Sequence, residues 1–410
     1  MNLQPDVLIV GAGVSGITCA IKCQELGLNY ALIDKNCRVG GRLGSVYSNG
    51  YIFDIGFQVF NTSYEITKQY LDLDHLDLHF FKPGSAIYSD KKFTIISDPL
   101  RDFGQIFHTL FSKIPTLADK MRILKLKISL SNYVIEEDKS EDQETIVFLK
   151  EYGFSENMIS QFFKPFFAGI FLENKLSTSS KFFKYVFSKF GKGLASLPSN
   201  GMQEIPENML RRVDRENVFM NCELEHITKD KKVKLKDGIT IAPSKIVFTG
   251  NSQKLINKKL VNYNSVKTFY FSSNVIHDYS NYIHIFPQEE YINNIAFLTS
   301  ISEGYSKNND SLISVSIIKE NNISDSKLIT HTKDRLKNIY GGEFNFLKNF
   351  NIKQATIKQP VQYFDQKYNL SINDRYYLAG DNLVHGSIEG AAISGIKVAE
   401  ELNFWFIIFA

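Results

Sequence analysis

The chain has 410 residues, of which 43% are hydrophobic and 13% aromatic, and its formal net charge is +3. This length predicts two domains, the apolar content excludes a disordered chain, and the small charge excludes nucleic acid as an expected partner. No apolar stretch approaches the length of a transmembrane helix. The spacing of the cysteines predicts no metal site, and a cytoplasmic, reducing compartment fits them best. These cysteines are Cys19, Cys23, Cys37 and Cys222.

The first predicted element is a nucleotide-binding turn near the N-terminus. The apolar run 7–10 predicts a buried strand, and the segment 17–26 has helical spacing. Between them lies the pattern G-x-G-x-x-G, whose glycines allow a sharp turn, close approach to a pyrophosphate and close helix packing, in that order. The pattern suits NAD as well as FAD, and a turn without any nucleotide is the competing interpretation. The residues expected to contact the nucleotide are Gly11, Gly13, Val14, Ser15 and Gly16.

A second apolar strand, residues 30–33, leads into Asp34 and Lys35. This is about 20 residues after the turn, where an acidic residue that binds a ribose is expected. The Gly41-Arg42 pair that follows would bring bare backbone and a guanidinium to the same pyrophosphate, unless it is a surface loop with a solvated arginine. A hairpin with an Asn49-Gly50 turn is predicted next, from strands 45–47 and 51–54.

The hairpin ends in the motif D-x-G-x-Q, which contains Gly56, Phe57 and Gln58. A glycine among bulky apolar residues at a strand end indicates that the backbone closely approaches a flat group. With the glycine turn, the acid after the second strand and the G-G-R segment, this sequence resembles the flavin amine oxidase superfamily. That superfamily includes monoamine and polyamine oxidases, protoporphyrinogen oxidases and carotenoid desaturases. The resemblance implies FAD, bound by the residues named so far.

The middle of the chain predicts an inserted, mainly helical region. It begins with a hairpin over 85–88 and 93–96, and it contains helices over 120–134 and 145–152 with a solvated loop at 136–142. Two segments within it, 161–171 and 181–187, are dense in phenylalanine. Such segments can form a core, line an apolar tunnel, or make peripheral contact with a membrane surface.

The chain then returns to strands. A glycine- and proline-rich segment near residues 191–202 marks the return, and strands over 217–222, 226–229 and 232–235 predict a small meander. The strand that ends in Thr249 resembles the one that closes the dinucleotide fold, and the resemblance places Leu224 against the adenine. Four strands and a helix follow, and an antiparallel sheet backed by helices fits them. They lie at residues 267–272, 282–286, 295–300, 312–318 and 326–340.

The C-terminal segment supplies the second half of the cofactor site. A strand over 376–379 ends in Gly380 and Asp381, and a helix rich in small residues opens near His385 and runs to about Leu402. The resemblance implies that this segment holds the ribityl phosphate and the pyrimidine edge of the flavin. The residues that carry over are Gly380, Asp381, Glu389, Gly390 and Ala391.

The predicted fold class is α/β, with a Rossmann-like FAD-binding domain of the GR2 type and a discontinuous α+β substrate domain. The FAD-binding domain takes residues 1–62, 192–262 and 366–403, and the substrate domain takes 63–191 and 263–365. Residues 404–410 form an apolar tail that is too short to span a bilayer. It could complete the core, dock on a subunit or lie at a membrane interface.

The resemblance implies an oxidoreductase in which the flavin N5 takes a hydride equivalent from a small-molecule substrate. FAD should be bound non-covalently, because no cysteine lies near the C-terminal motif. Lys267, His385 and Tyr363 are the catalytic candidates, and Phe364 and Tyr368 are further substitutes for the aromatic pair of amine oxidases. Removal of hydride from an apolar substrate, as in desaturases, is favoured over amine oxidation. A flavoprotein with a mutase-like or binding role is the alternative from another class.

Overall fold

The structure is a computed structural model that describes residues 4–97, 114–256, 261–318, 323–366 and 369–409, with side chains through residue 404. Its strands are β1 (Val7–Val10), β2 (Tyr30–Ile33), β3 (Ser45–Ser48), β4 (Tyr51–Asp54), β5 (Phe60–Asn61), β6 (Leu78–Phe80), β7 (Gly84–Ser89), β8 (Lys92–Ser97), β9 (Ala195–Pro198), β10 (Val218–Phe219), β11 (Leu224–Ile227), β12 (Val233–Leu235), β13 (Thr240–Ile241), β14 (Lys245–Thr249), β15 (Tyr263–Ser273), β16 (Ile283–Ile285), β17 (Ile292–Phe297), β18 (Ser311–Ile317), β19 (Phe344–Ile357) and β20 (Tyr376–Ala379). The α-helices that it describes are Val14–Glu25, Glu65–Gln69, Leu73–Leu76, Leu117–Ser129, Thr145–Glu151, Glu156–Met158, Lys164–Phe171, Ser180–Lys192, Glu204–Leu210, Leu298–Ile301, Asp325–Tyr340 and Ile388–Phe409.

A parallel sheet with the order β10-β2-β1-β14-β20 carries the glycine-rich turn. Every residue of β1 and β2 is buried, as expected for strands that are covered on both faces. This sheet confirms the predicted Rossmann-like fold. One strand differs from expectation, because β10 lies in this sheet and not in the meander. Val218 and Phe219 pair in parallel with Leu32 and Ile33, so the meander contains only β11, β12 and β13.

A second, seven-stranded sheet has the order β19-β15-β18-β17-β16-β7-β8. Its strands pair antiparallel except for β16 and β7, which run parallel. Phe269 and Phe271 pack with Leu328 and Leu336 of the helix Asp325–Tyr340, so that helix covers one face of the sheet. The opposite face reaches the end of β4, since the Tyr270 hydroxyl donates to the Asp54 carbonyl over 2.8 Å.

The two sheets draw on different segments of the chain. All strands of the parallel sheet lie within 1–62, 192–262 and 366–403, and all strands of the seven-stranded sheet lie within 63–191 and 263–365. One small sheet crosses this division, because β9 pairs with β5 on one side and with β6 on the other. On this basis we propose the domain boundaries that the sequence predicts.

Both predicted hairpins form, and the first has the expected turn. Asn49 and Gly50 between β3 and β4 have φ values of 52° and 79°. Two successive positive φ values give the type I′ turn, whose twist matches that of the flanking strands. The segment 295–300 differs from the prediction, because β17 ends at Phe297 and the chain turns into the short helix Leu298–Ile301.

The phenylalanine-rich insert forms its own core. Phe163, Phe167 and Phe183 are buried in one apolar cluster with residues of the neighbouring helices. The loop before this insert is not simply solvated as predicted. Asp142 is buried, and its carboxylate accepts hydrogen bonds from the Ser179 hydroxyl at 2.7 and 2.8 Å. This carboxylate therefore ties the loop to the start of the helix Ser180–Lys192.

The last helix, Ile388–Phe409, continues beyond its predicted end near Leu402. No glycine or proline follows Leu402, so nothing in the sequence breaks the helix there. Residues 404–409 of the apolar tail thus extend this helix. No helix within the described residues combines the length and hydropathy that a membrane crossing needs.

Candidate functional site

The three glycines of the first turn meet different surroundings. Gly11 has a φ of 109°, and a Cβ there would overlap the Thr249 hydroxyl. A Cβ on Gly16 would overlap the Gly11 carbonyl oxygen. At Gly13, in contrast, the nearest atom within 4 Å is the Gly40 carbonyl oxygen, 4.0 Å away. The protein itself therefore requires glycine at positions 11 and 16, whereas Gly13 leaves space beside the turn.

Gly13 is also the N-cap of the helix Val14–Glu25, and no side chain among the described residues caps that helix. The first N–H groups of an α-helix have no partner within it, and they favour an anion. Val14, Ser15 and Gly16 form this first turn and are buried. The free space at Gly13 thus lies beside an uncapped helix N-terminus, which fits a pyrophosphate.

Asp34 and Thr249 hold the glycine turn in place. The Asp34 carboxylate accepts from the backbone N–H of Ala12 at 2.7 Å and from that of Asn36 at 2.8 Å. The Thr249 hydroxyl lies 3.0 Å from the Val10 carbonyl oxygen and 2.9 Å from that of Gly11. Asp34 therefore lies where predicted, at the end of β2, and it also orders the backbone beside the turn.

The G-G-R segment packs directly against the first turn. The Gly40 N–H donates to the Ala12 carbonyl over 2.8 Å, and a Cβ on Gly41 would lie 3.5 Å from the Gly13 Cα. The Gln58 amide donates to the Arg42 carbonyl over 2.9 Å, while its own Oε1 is buried without a partner. The structure thus brings together the first three predicted motifs.

Arg42 joins the N-terminal and C-terminal parts of the site. Its guanidinium lies 2.5 Å from a carboxylate oxygen of Asp381, which is 339 residues away in the chain. Burial disfavours the charge of Arg42, but the neighbouring Asp381 carboxylate outweighs burial and raises the pKa of the guanidinium. The planar fork of an arginine suits a phosphate as well as a carboxylate.

The C-terminal segment closes against the first helix through small residues. The Gly380 N–H donates to the Ser394 hydroxyl over 2.7 Å. The Thr18 hydroxyl of the first helix donates to the Ala392 carbonyl over 3.2 Å, and a Cβ on Gly395 would overlap the Ser15 carbonyl oxygen. The two halves of the predicted cofactor site therefore pack directly against each other.

Glu389 has a structural contact that the sequence did not predict. Its buried carboxylate accepts from the backbone N–H groups of Ile66 and Thr67 at 2.9 and 2.8 Å and from the Thr67 hydroxyl at 2.5 Å. It thereby holds the first turn of the helix Glu65–Gln69. Gly390 is required beside it, because a Cβ there would overlap the His385 carbonyl oxygen.

The remaining predicted cofactor residues spread around this centre. Gly56 has a φ of 87°, and a Cβ there would lie 2.9 Å from Ile352. Phe57 packs edge-on against Phe81, with ring centroids 6.0 Å apart. Leu224 is buried against the strands of the parallel sheet. Lys35 is exposed and Ala391 is half-buried.

His385 is buried just before the last helix. Its Nδ1 lies 3.0 Å from the Ser387 hydroxyl, and its ring centroid is 4.1 Å from that of Tyr185. Burial, together with the positive charges of Lys189 and Lys397, lowers the pKa of His385 to about 3. The imidazole is therefore neutral at physiological pH.

The other two catalytic candidates lie in different places. The Tyr363 hydroxyl donates to the Asn382 carbonyl over 2.6 Å, beside the Asp381 loop. Lys267 pairs with Asp325 over 2.6 Å, at the start of the helix that covers the outer face of the seven-stranded sheet. Successive strand residues face opposite sides, and Thr268 is the neighbour that approaches Gly56. The structure therefore does not bring Lys267 to the other site residues, and Tyr368 lies outside the described residues.

A cavity of about 50 Å³ lies beside His385, between the helix Ser180–Lys192 and the start of the last helix. Its apolar lining includes Ile170, Phe182 and Phe190. The phenylalanine side chains of the insert thus have two roles. Some of the rings form a core, and others line this cavity. Tyr185 also borders the cavity and belongs to the segment 181–187, for which the sequence left a tunnel lining open. The sequence did not predict Asn61, Tyr64, Lys189 and Ser387, which complete the polar lining. Only the position of Lys189 four residues after Tyr185, one helical turn away, was a readable signal.

Comparison with known proteins identifies the family. The model of the family described as flavin containing amine oxidoreductase matches residues 14–403. The chain belongs to this family. This confirms the resemblance inferred from the glycine turn, the G-G-R segment and the C-terminal motif, and a flavin-dependent oxidoreductase is the class that the family implies.

Individual relatives match only short stretches. A 4,4'-diaponeurosporene oxygenase of Staphylococcus haemolyticus (strain JCSC1435) is 31% identical over 97 residues, which cover 20% of this chain and 19% of that protein. Protoporphyrinogen oxidase 2 of Arabidopsis thaliana is 50% identical over 50 residues, which cover 12% and 10%. These alignments thus span a fifth or less of the relatives' length.

Solved structures match along the whole chain. Wild-type putrescine oxidase bound to putrescine superposes with a TM-score of 0.71 over 98% of this chain and 99% of that one, at 14% sequence identity. A likeness at this identity shows a shared fold. The predicted fold class is confirmed on both counts, by the topology and by this superposition.

Proposed function

We propose that this protein is an FAD-dependent oxidoreductase that removes a hydride equivalent from a C–H bond of a small, mainly apolar molecule, as a desaturase or dehydrogenase does. One observation carries the proposal: the first helix is uncapped beside the free space at Gly13, and the Arg42–Asp381 pair connects this region to the C-terminal segment. These features combine an anion site with a second, charged site contributed by a distant part of the chain. A dinucleotide that carries a flavin needs both.

The chain's residues would hold the cofactor in two parts. The backbone from Gly11 to Gly16 would bind the pyrophosphate, with Asp34 at the ribose. Arg42, Asp381 and the start of the last helix would hold the flavin half. The chemistry that bound FAD supplies is acceptance of a hydride equivalent from substrate carbon. The chain then has to position the substrate and exclude water.

Non-covalent binding is part of this proposal. The last cysteine in the sequence is Cys222, which is buried against the parallel sheet with Leu224 and Val233. Cys19 and Cys23 are buried on the first helix. A thioether link to the flavin would need a cysteine beside the C-terminal motif, and residues 223–410 contain none.

An apolar substrate is supported by the surroundings of the cavity. Ile170, Phe182 and Phe190 border it, and neutral His385 packs beside Tyr185. Removing hydride from carbon requires no strong base on the protein when the substrate lies over the acceptor. The buried, neutral His385 therefore suits a role in shaping the site and not in titrating during the reaction.

The cofactor is tested with purified protein. Bound FAD should give visible flavin absorption, and acid or heat precipitation should release all of it into the supernatant as FAD, identified by mass. A colourless protein that gains no absorption on reconstitution would refute the cofactor. Absorption that stays with the precipitated chain would refute non-covalent binding.

The reaction class is tested by anaerobic mixing with candidate substrates. Loss of the oxidised flavin absorption with a polyene or cyclohexene-type substrate, followed by recovery with oxygen or a quinone, supports the proposal. Bleaching by amines alone indicates C–N oxidation. Turnover without any bleaching indicates a mutase-like role.

A further inference from the structure

The cavity beside His385 contains polar groups that the proposed function does not use. Asn61 and Tyr185 are only 2% and 6% exposed. The Asn61 Nδ2 and the Tyr185 hydroxyl are nevertheless buried without a hydrogen-bond partner among the described residues. Leaving a buried polar group unsatisfied is unfavourable, so two such groups on residues of one cavity point to a ligand.

The orientation of the Asn61 amide is fixed by its neighbour. Its Oδ1 accepts from the Ser63 N–H at 2.9 Å and from the Ser63 hydroxyl at 2.7 Å. These two donors require oxygen at that position, so the amide nitrogen must be on the other side. Asn61 borders the cavity, and its unpartnered N–H groups lie on the side of the amide away from Ser63.

The position of the Tyr185 hydroxyl is fixed by the packing of its ring. The ring packs against His385 at 4.1 Å and lies 6.1 Å from Phe182 between centroids. Burial raises the pKa of Tyr185 well above its ordinary value, so the hydroxyl keeps its proton. The Ser387 hydroxyl also borders the cavity, but it already accepts from the Gly390 N–H at 3.0 Å and bonds His385.

Lys189 adds a positive charge to the same cavity. It follows Tyr185 by one helical turn, and its ammonium lies 5.5 Å from the Tyr185 ring centroid. It forms no ion pair with any residue that the structure describes. The nearby Glu389 carboxylate is held by three hydrogen bonds from the helix Glu65–Gln69. Of these cavity groups, the Asn61 amide nitrogen and the Lys189 ammonium can only donate, the Tyr185 hydroxyl has a proton to donate, and Lys189 is a cation.

We propose that this cavity binds a carboxylate, and that the substrate is an apolar molecule with a carboxylate group at one end. Asn61, Tyr185 and Lys189 would each donate to its oxygens. The volume of about 50 Å³ exceeds the roughly 30 Å³ that one water occupies in the liquid, so it has room for a head group while Phe182 and Ile170 contact the chain behind it. An ammonium would meet Lys189 and find no free carboxylate. The inference rests on the proposed function, because it specifies that site's substrate.

The test measures binding of three probes of one length to the flavin-loaded protein by titration calorimetry. Hexanoate, hexylamine and hexan-1-ol share an apolar tail and differ in the head group. Hexanoate should bind at least about tenfold more tightly than the other two, and its affinity should fall as salt rises. Equal binding of hexylamine and hexanoate would overturn the proposal.

Two variants locate the binding. Lys189→Met removes the charge and keeps the stem, and Tyr185→Phe removes one hydroxyl and keeps the ring. Each should weaken hexanoate binding by about tenfold or more. The control is Lys192→Met, on the same helix but exposed, which should leave the affinity unchanged. Unchanged affinity in both test variants would also overturn the proposal, as would equal losses in the control.

Failure of the carboxylate site can be distinguished from failure of the proposed function. Flavin occupancy is measured on the same samples before each titration, and none of the three variants removes a predicted cofactor contact. Flavin-loaded protein that fails to discriminate the probes refutes the carboxylate site alone. Protein that never binds flavin refutes the proposed function first.

Discussion

Gly13 and Gly16 are three residues apart in one turn, but glycine is needed at the two positions for different reasons. A side chain at Gly16 would overlap the backbone of Gly11, so the fold itself excludes one. A methyl group at Gly13 would meet only the Gly40 carbonyl, 4.0 Å away. Gly13 also has a φ of −75° and a ψ of 176°, which any residue adopts.

The substitution Gly13→Ala should therefore separate binding from folding. The free energy of unfolding of the apoprotein should fall by less than about 1 kcal/mol, the usual cost of alanine at an N-cap. FAD affinity should fall at least about tenfold, because the methyl would occupy the space that we propose for the pyrophosphate. Denaturant unfolding and flavin titration measure the two effects.

Gly16→Ala is the matched comparison. It should destabilise the apoprotein by about 1–3 kcal/mol or more, since the added atom has no room. If Gly13→Ala retained full FAD affinity, the pyrophosphate assignment would fail.

Asp54 is a buried carboxylate that joins four segments of the chain. It accepts from the Ser45 hydroxyl at 2.6 Å, from the Met202 N–H at 2.9 Å and from the Tyr305 hydroxyl at 2.7 Å, while its carbonyl accepts from Tyr270. Burial outweighs these hydrogen bonds and raises the pKa of Asp54 from 3.8 to about 6. The folded protein therefore binds a proton here more tightly than the unfolded chain does.

This pKa predicts a pH-dependent stability with a definite sign. Between about pH 4 and pH 6 the folded state holds a proton that the unfolded state has lost, so the contribution of Asp54 to stability falls as the pH rises. The loss amounts to about 3 kcal/mol and is complete above pH 6. Asp54→Asn keeps the shape and removes the titration.

The measurement is the difference in unfolding free energy between wild type and Asp54→Asn, taken from pH 4 to pH 7. Relative to wild type, the variant should gain stability across that interval. A difference that stays constant with pH would show that Asp54 does not titrate there.

Among the elements, the short helix Glu65–Gln69 depends on a residue from the far end of the chain. Five residues form too short a helix to be stable alone. The Glu389 carboxylate binds two of its first N–H groups, and a negative charge at a helix N-terminus is favourable. This contact also fixes the start of the last helix against the cavity wall that contains Tyr64.

Glu389→Gln should destabilise the protein by about 1.5–3 kcal/mol, because it removes a charge and turns one acceptor into a donor that faces donors. Glu400→Gln, on the exposed side of the same helix, is the control and should change the unfolding free energy by less than about 0.5 kcal/mol. Denaturant unfolding of both variants gives the comparison. Equal effects would mean that the cap contributes nothing.

Local pattern predicted the elements better than their side-chain contacts. The hairpin at Asn49-Gly50 and the strand–turn–helix at Gly11–Gly16 follow from short-range rules, and both are confirmed. Alternation along β15 puts Lys267 on the same face as Phe269 and Phe271. Which face of the sheet meets the rest of the site could not be read, because that depends on contacts with distant segments, such as the one between Tyr270 and Asp54. The position of β10 could not be predicted either, because its two residues pair with a strand 186 residues earlier in the chain.

For the whole molecule, the strand order of the parallel sheet is the feature that local sequence patterns predict least. Its order needs strands from residues 7–33, 218–249 and 376–379. The sequence predicted which motifs belong together only through the family resemblance, since pairings this distant leave no local signal. The Arg42–Asp381 pair is of the same kind, and neither of its residues identifies the other in sequence.

This dependence predicts the effect of truncation. A chain that stops at Asp374 lacks β20 and the last helix, and it should neither bind FAD nor unfold cooperatively, because an edge of the parallel sheet and one face of the first helix are left exposed. A chain that stops at Phe404 keeps both elements and should do both. Circular dichroism melts and flavin absorption distinguish the outcomes, and cooperative melting with bound flavin in the shorter chain would contradict the prediction.

The contact between the first and the last helix can form only late in synthesis of the chain. Ala392 leaves the ribosome 374 residues after Thr18, which it contacts, and at 5–20 residues per second this takes roughly 20 to 75 seconds. During that interval the glycine turn exists without the helix that packs on Ser15 and Thr18. The proposed cofactor site is therefore expected to be complete only after the residues through Ala392 have been translated.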